Sequence, residues 1–179
     1  MSQVNWDFDH AHSSVNFWVR HLMVSKVRGR FATWDGTLSF DPDDLTTAKL
    51  EVTIDAGSIE TREEKRDAHL RSPDFLDAEK FPKLTFKSSK IEKKSGDKYA
   101  LSGDLTIRGV TKPVTLDVEY SGTVTDPWGG SRAGFSASTS LNRRDFGLEW
   151  NQALEAGGVL VGDKVNLDLE IEVMKQKAS

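Results

Sequence analysis

Four histidines and one dense polar cluster are the places where this chain could do chemistry. His10 and His12 form a His-x-His pair beside Asp9. On a β-strand that spacing puts both rings on one face, as in some metal sites. No third ligand is evident, and a polar anchor at a strand start is the competing reading. His69 sits near Arg66 and Asp67 in a stretch with helical signals, where it could act as a general base or simply join an ion pair. His21 is the other candidate base. Asn142-Arg143-Arg144-Asp145 closes an apolar strand, either as a solvated turn or as a head-group contact at a cavity mouth, with Arg143 able to hold an anion. Gly157, Gly158 and Gly162 lack the strand-then-helix frame of a phosphate loop and read as a turn into the last strand.

Composition removes several alternatives. There is no cysteine, so thiolate nucleophiles, Fe–S clusters, Cys-type zinc sites and disulfides are excluded. The net charge of −4 and pI near 5.6 offer no basic field for a phosphate backbone, and the Lys87–Lys98 stretch is broken by Glu92 and Asp97. Nucleic acid is not an expected partner. No apolar run is long enough to span a membrane as a helix. The opening Met-Ser-Gln-Val-Asn-Trp-Asp has no basic n-region or apolar h-region, so a cytoplasmic location is expected, and a secreted or periplasmic one only for a processed chain. The 179 residues suit one domain spanning 1–179.

The elements that must position these groups are mostly strands. Val165, Leu167, Leu169, Ile171 and Val173 alternate with polar neighbours, and so do Val114, Leu116, Val118 and Tyr120. Leu101, Gly103, Leu105 and Ile107 repeat the pattern and are joined to the previous set through an Arg108-Gly109-Val110 turn. Val15-Phe17-Val19, Leu50-Val52-Ile54, Leu84-Phe86 and Ala133-Phe135-Ala137-Thr139-Leu141 add more. Between Arg28 and Phe40 the apolar parity changes, which calls for a bulge near Ala32 or Thr33 to keep Phe31 and Trp34 on one face. About eight strands, each dry on one face, predict an all-β antiparallel barrel with a short helical insert; a filled two-sheet sandwich is the alternative. For the insert, Thr61 and Glu64 suggest a capping box before a helix over Arg62–Leu70, and Ser72-Pro73 the start of another over Asp74–Ala78. A shorter helical piece is expected over Asn151–Ala156, stopped at Gly157-Gly158.

The inner faces carry almost no charge, whereas catalysis needs convergent acids, bases or nucleophiles. Small inward residues, Gly36, Gly103, Ala133, Ala137 and Thr139, stand among Phe17, Phe31, Phe40, Phe86 and Phe135. They either leave space or face large side chains across a filled core. If they leave space, burying about 400 Å² of an apolar guest would supply on the order of 10 kcal/mol, less several lost in immobilising it. That leaves micromolar or tighter binding without any charge pair.

The ordered motifs of the chain resemble the YceI-like proteins, sometimes called polyisoprenoid-binding proteins. The resemblance rests on His12-Ser13-Ser14-Val15-Asn16-Phe17, Gly29-Arg30-Phe31 with Trp34-Asp35-Gly36, and Ser58-Ile59-Glu60-Thr61. It continues through Arg66-Asp67-Ala68-His69-Leu70-Arg71-Ser72, Gly103-Asp104-Leu105-Thr106-Ile107-Arg108-Gly109, Asn142-Arg143 with Asp145-Phe146-Gly147, and Val161-Gly162-Asp163. It implies a lipocalin-like barrel, usually a homodimer, threaded by a long isoprenoid or other amphiphilic lipid, with no enzymatic activity, cofactor or metal. Carried onto this chain, the ligand-binding positions would be Phe17, Val19, Phe31, Trp34, Phe75, Phe86, Leu105, Phe135, Phe146 and Trp150, with His21, Asn142 and Arg143 at a polar rim. The chain departs from the many secreted members in showing no signal peptide.

Overall fold

The computed structural model describes residues 3–152 and 160–177. Period-two alternation produces antiparallel strands throughout: β1 (Val4–Phe8), β2 (Ser14–His21), β3 (Ser25–Phe31), β4 (Trp34–Asp41), β5 (Asp44–Asp55), β6 (Ile59–Glu60), β7 (Lys83–Ser95), β8 (Lys98–Ile107), β9 (Val110–Thr125), β10 (Ser131–Asn142) and β11 (Lys164–Lys175). Among the described residues a single α-helix, α1 (Glu64–Arg71), lies between β6 and β7. β11 pairs with β10 on one side and, on the other, with both β1 and β2, which closes the sheet on itself. β1 pairs with β4 and β2 with β3, so β1/β2 and β3/β4 behave as two long interrupted staves. With β5, β7, β8, β9, β10 and β11 they make a closed eight-stranded barrel, and the sandwich alternative falls away. Among the described residues no helix is long and apolar enough to cross a membrane.

The two interruptions have local causes. The Asp9 carboxylate accepts from the Ala11 backbone N–H at 3.1 Å and pairs with His12 Nδ1 at 2.8 Å, winding His10–His12 into one 3₁₀ turn. The two rings therefore do not share a strand face. His10 packs against Trp34, with ring centroids 4.5 Å apart, while His12 turns to Asp9. At Ala32 and Thr33 the chain passes from its pairing with β2 to its pairing with β1. The parity change expected there as a bulge is a break between two strands, and Phe31 and Trp34 both end up facing inward.

The helical insert also differs from expectation at its ends. Arg62 takes a positive φ of 66°, so the helix begins only at Glu64, with Glu63 accepting from Lys65 N and Arg66 N. Thr61 instead donates from its backbone N–H and its hydroxyl to the buried Asp67 carboxylate, at 2.8 and 2.5 Å. The Ser72 hydroxyl donates back to the His69 carbonyl, and residues 73–76 form turns in place of a second helix. Of the helical piece expected over Asn151–Ala156, Asn151 and Gln152 are not helical, and the remainder with its Gly157-Gly158 stop lies outside the described residues. The Arg108-Gly109 turn is as expected, both residues at positive φ between β8 and β9.

One end of the barrel is plugged by packing. Trp6 stacks on Phe40 with centroids 4.6 Å apart, Phe40 meets Phe135 edge-on at 5.8 Å, and Trp6, Phe40 and Val173 are fully buried. Outside this plug, the Arg132 guanidinium donates to Asp9 (2.7 Å), Glu172 (2.9 Å) and Asp126 (3.1 Å), tying the His10–His12 turn to the β9–β10 connection. Asp9, His12 and Glu172, the last from β11, lie close enough to ligate one ion, but His10, the other half of the expected pair, is not among them. Arg132 already serves as the cation of that cluster. Hydrogen bonds to Asp9, Glu172 and Asp126 hold Arg132 above its usual range. Burial alone would raise the Asp9 carboxyl, but hydrogen bonds from His12 and Arg132 prevail and hold it low.

The hydrogen bond to Asp9, then its charge, raises His12 above the ordinary 6.5. A raised histidine contributes stability that is present below its unfolded pKa and lost as pH rises through its folded one. The depressed Asp9 contributes in the opposite sense, losing its share only as pH falls through its low folded value. Thermal unfolding followed from below pH 6.5 upward should therefore show a decline that a His12→Gln variant lacks. Identical profiles for the two proteins would refute the contribution.

Candidate functional site

Inside the barrel is a cavity of about 600 Å³, within the range of small-molecule pockets. Its wall follows from strand parity: Val15, Phe17 and Val19 on β2, Leu116 and Val118 on β9, Phe135, Ala137, Thr139 and Leu141 on β10, and Val165, Leu167, Leu169 and Ile171 on β11. Not every small inward residue makes room. A Cβ on Gly36 would run into the Glu51 carbonyl, and one on Gly103 into the Lys87 carbonyl and the Phe86 ring. These two glycines serve close strand approach, and Ala133 is sealed into the plugged end. Ala137 and Thr139 do border the open volume.

The end opposite the plug is lined differently. Lys65, Arg66, His69 and Leu70 of α1, Thr61 before it, Phe75 and Leu76 after it, His21 from β2, and Arg143, Leu148, Trp150, Leu160 and Val161 all reach the cavity. Among the described residues no Asp or Glu lines it. His69 lies edge-on to Phe75 and Trp150, with centroids at 5.0 and 4.5 Å, and its Nε2 is 2.9 Å from Asp74. Arg66 is oriented by donating to the Thr61 hydroxyl at 2.7 Å and the Thr61 carbonyl at 2.6 Å.

Arg143 is 2% exposed and donates to the carbonyls of Leu148 (2.6 Å), Gly162 (2.9 Å) and Val161 (3.4 Å). Burial lowers its pKa from the ordinary arginine value, with nearby Asp163 opposing. Its guanidinium is thus a strut joining 142–148 to 160–163, although one face still borders the cavity.

Of the positions expected from the sequence, Phe17, Val19, Phe31, Trp34, Phe86, Leu105 and Phe135 lie on the wall, and Phe75, Trp150, His21 and Arg143 at the open end. Two do not. Residues 143–146 wind into a 3₁₀ turn ended by Gly147 at φ 79°, which carries Phe146 into packed core away from the cavity. Asn142 caps that turn, its side chain accepting from Arg144 N at 2.9 Å, and stays off the wall as well. Leu148, which the sequence reading missed, lines the cavity beside Arg143. Tyr99 was also missed, though it continues the parity of Leu101 and Leu105. Ile91 could not be found by alternation, because a bulge at Ser88–Lys90 shifts its parity from that of Leu84 and Phe86.

A model of the YceI-like domain matches residues 6–173 of this chain. The chain belongs to the YceI-like family. A UPF0312 protein of Staphylococcus aureus is 43% identical over 169 residues, covering 94% of this chain and 96% of the relative. The crystal structure of a Campylobacter jejuni YCEI protein superposes with a TM-score of 0.76 at 34% identity, over 89% of this chain and 90% of that one. A domain from Saccharophagus degradans described as polyisoprenoid-binding shares the fold at a TM-score of 0.69 and 16% identity, over 97% and 99% of the two chains. In this YceI-like barrel the cavity is plugged by aromatics at one end and bordered by cations at the other.

Proposed function

We propose that the protein is a non-catalytic carrier of an amphiphile, whose long apolar tail fills the barrel and whose polar or anionic head rests among His21, Lys65, Arg66 and His69. The observation that carries this reading is the contrast along one cavity: apolar walls through most of its depth, cationic and imidazole groups at its open end, and no lining carboxylate among the described residues. A polyprenyl chain, an isoprenoid quinone or a fatty-acid derivative fits that lining. The described binding of polyisoprenoid by the Saccharophagus degradans domain points the same way. An alkyl tail gains about 0.8 kcal/mol per buried methylene, so affinity should climb with chain length until the cavity is full.

An enzyme using His69 or His21 as base, with Arg143 holding an anion, is the competing possibility. His69 has a carboxylate partner in Asp74, but among the described residues its ring has no hydroxyl bonded to it that could serve as a nucleophile. Arg143 is committed to three carbonyls. Organic extraction and native mass spectrometry of the purified protein should release a lipid, and the emptied protein should bind fluorescent prenyl or acyl probes. An empty protein that takes up neither probe defeats the carrier reading. Turnover of a lipid ester or phosphate, abolished by His69→Ala, would establish the enzymatic one.

A further inference from the structure

The hairpin joining β2 to β3 stands at the rim of the open end, held there by the Leu22 N–H donating to the Leu160 carbonyl and by the His21–Val161 bridge. Its turn is Leu22-Met23-Val24, with these residues 41, 63 and 78% exposed. Leu22 and Met23 both adopt positive φ, 52° and 61°, a conformation that favours glycine or asparagine. Two bulky apolar residues in that conformation, facing water, serve no purpose visible in the fold.

The flanks of the turn complete the pattern. Strand alternation puts Trp18 on the outer face of β2 and Lys26, Arg28 and Arg30 on that of β3, with Trp18 opposite Arg28, while Arg20, opposite Lys26, leans over Trp18 and also borders the cavity mouth. Lys26 Nζ lies 4.2 Å and the Arg20 guanidinium 5.4 Å from the Trp18 ring centroid. Arg30 pairs with Glu60, whereas Arg20, Lys26 and Arg28 have no ion-pair partner among the described residues. A chain of net charge −4 thus presents a local cluster of cations, an aromatic ring and an apolar tip beside the opening of its cavity.

We propose that this hairpin docks the protein on an anionic lipid bilayer. The tip enters the boundary between head groups and acyl chains, Lys26, Arg28 and Arg20 meet lipid phosphates, and Trp18 sits at head-group level. The cavity mouth is then held at the bilayer surface, so a tail can pass between membrane and barrel without crossing water. This purpose rests on the carrier reading; the docking itself does not.

The test is co-sedimentation of the full chain with phosphatidylcholine vesicles and with mixed phosphatidylcholine–phosphatidylglycerol vesicles, at low and high salt. A L22S/M23S/V24S variant and a K26E/R28E variant are compared with the parent, and none of these five residues lines the cavity. The parent should bind the anionic vesicles and release them at high salt. The charge reversal should weaken binding by about tenfold or more. The serine variant should fail to bind, while both variants take up the prenyl or acyl probe in vesicle-free solution as the parent does. A parent that ignores anionic vesicles, or variants that bind them equally well, would overturn the proposal. So would light scattering that shows a dimer dissociated by the serine substitutions, since the tip would then serve a second copy of this chain. Probe uptake failing while vesicle binding holds would remove the carrier reading and leave the docking intact.

Discussion

An Ala137→Trp variant should lose roughly two orders of magnitude in affinity for a long-chain prenyl or acyl probe. Ala137 faces the cavity from β10, between Val118 of β9 and Leu169 of β11. An indole there occupies volume that a guest would fill. Displacing about 100–150 Å² of guest contact removes about 2.5–4 kcal/mol, and each 1.4 kcal/mol is tenfold in Kd. The side chain enters open space rather than packed core, so the unfolding temperature should hold or rise. Probes of increasing chain length separate occlusion from general damage: short ones should bind nearly as before, long ones poorly. Equal long-chain affinity in parent and variant would show that guests do not occupy the barrel interior.

The second large effect concerns stability. Replacing Arg143 by Met should lower the unfolding temperature by roughly 10 °C. Of the three carbonyls it serves, those of Leu148 and Gly162 would lose their donors at a site where Arg143 itself is almost fully buried, while that of Val161 would keep the Asn151 Nδ2 donor at 2.8 Å. Unpaired buried acceptors cost about 1–3 kcal/mol each, partly recovered if water reaches them, which gives about 2–5 kcal/mol for the two. For a domain of this size each kcal/mol moves the transition by about 2–4 °C. Arg143→Lys should recover little, because one ammonium cannot reproduce the planar fork that spans three carbonyls. Circular dichroism melts provide the measurement. A shift of only a degree or two would mean that Arg143 is a rim residue free to meet a head group, as the sequence first suggested.

What was legible in the sequence was whatever obeys a period of two. The alternation through β9, β10 and β11 announced both the strands and their cavity faces, and the tight Arg108-Gly109 turn tied two of them together. What escaped was decided by short-range competition for backbone groups. Asp9 claims the Ala11 N–H and turns His12 to its own carboxylate, so a pattern that suggested two rings on a strand face became a 3₁₀ turn. Thr61 bonds Asp67 and leaves the capping to Glu63. Phe146 has a ligand-like side chain in a promising motif, but Asn142 caps a turn that points it away. The polar rim was legible only in part: His21 and Arg143 were expected there, but Lys65 and Arg66 of α1 were not, because these groups come from separate stretches of chain and meet only when the barrel closes.

That closure has a consequence for how the molecule is made. From β2 onward each stave of the barrel pairs with its successor along the chain, except at the seam, where β11 must find β1 and β2. The partners in this seam are more than a hundred residues apart, so it is the pairing with the greatest loop-closure penalty. A nascent chain on the ribosome cannot form it until residues 164–175 have emerged. Until then the strip of Phe17, Phe31, Phe86 and Phe135 lies on an open sheet, exposed to whatever hydrophobic company the translating cell provides.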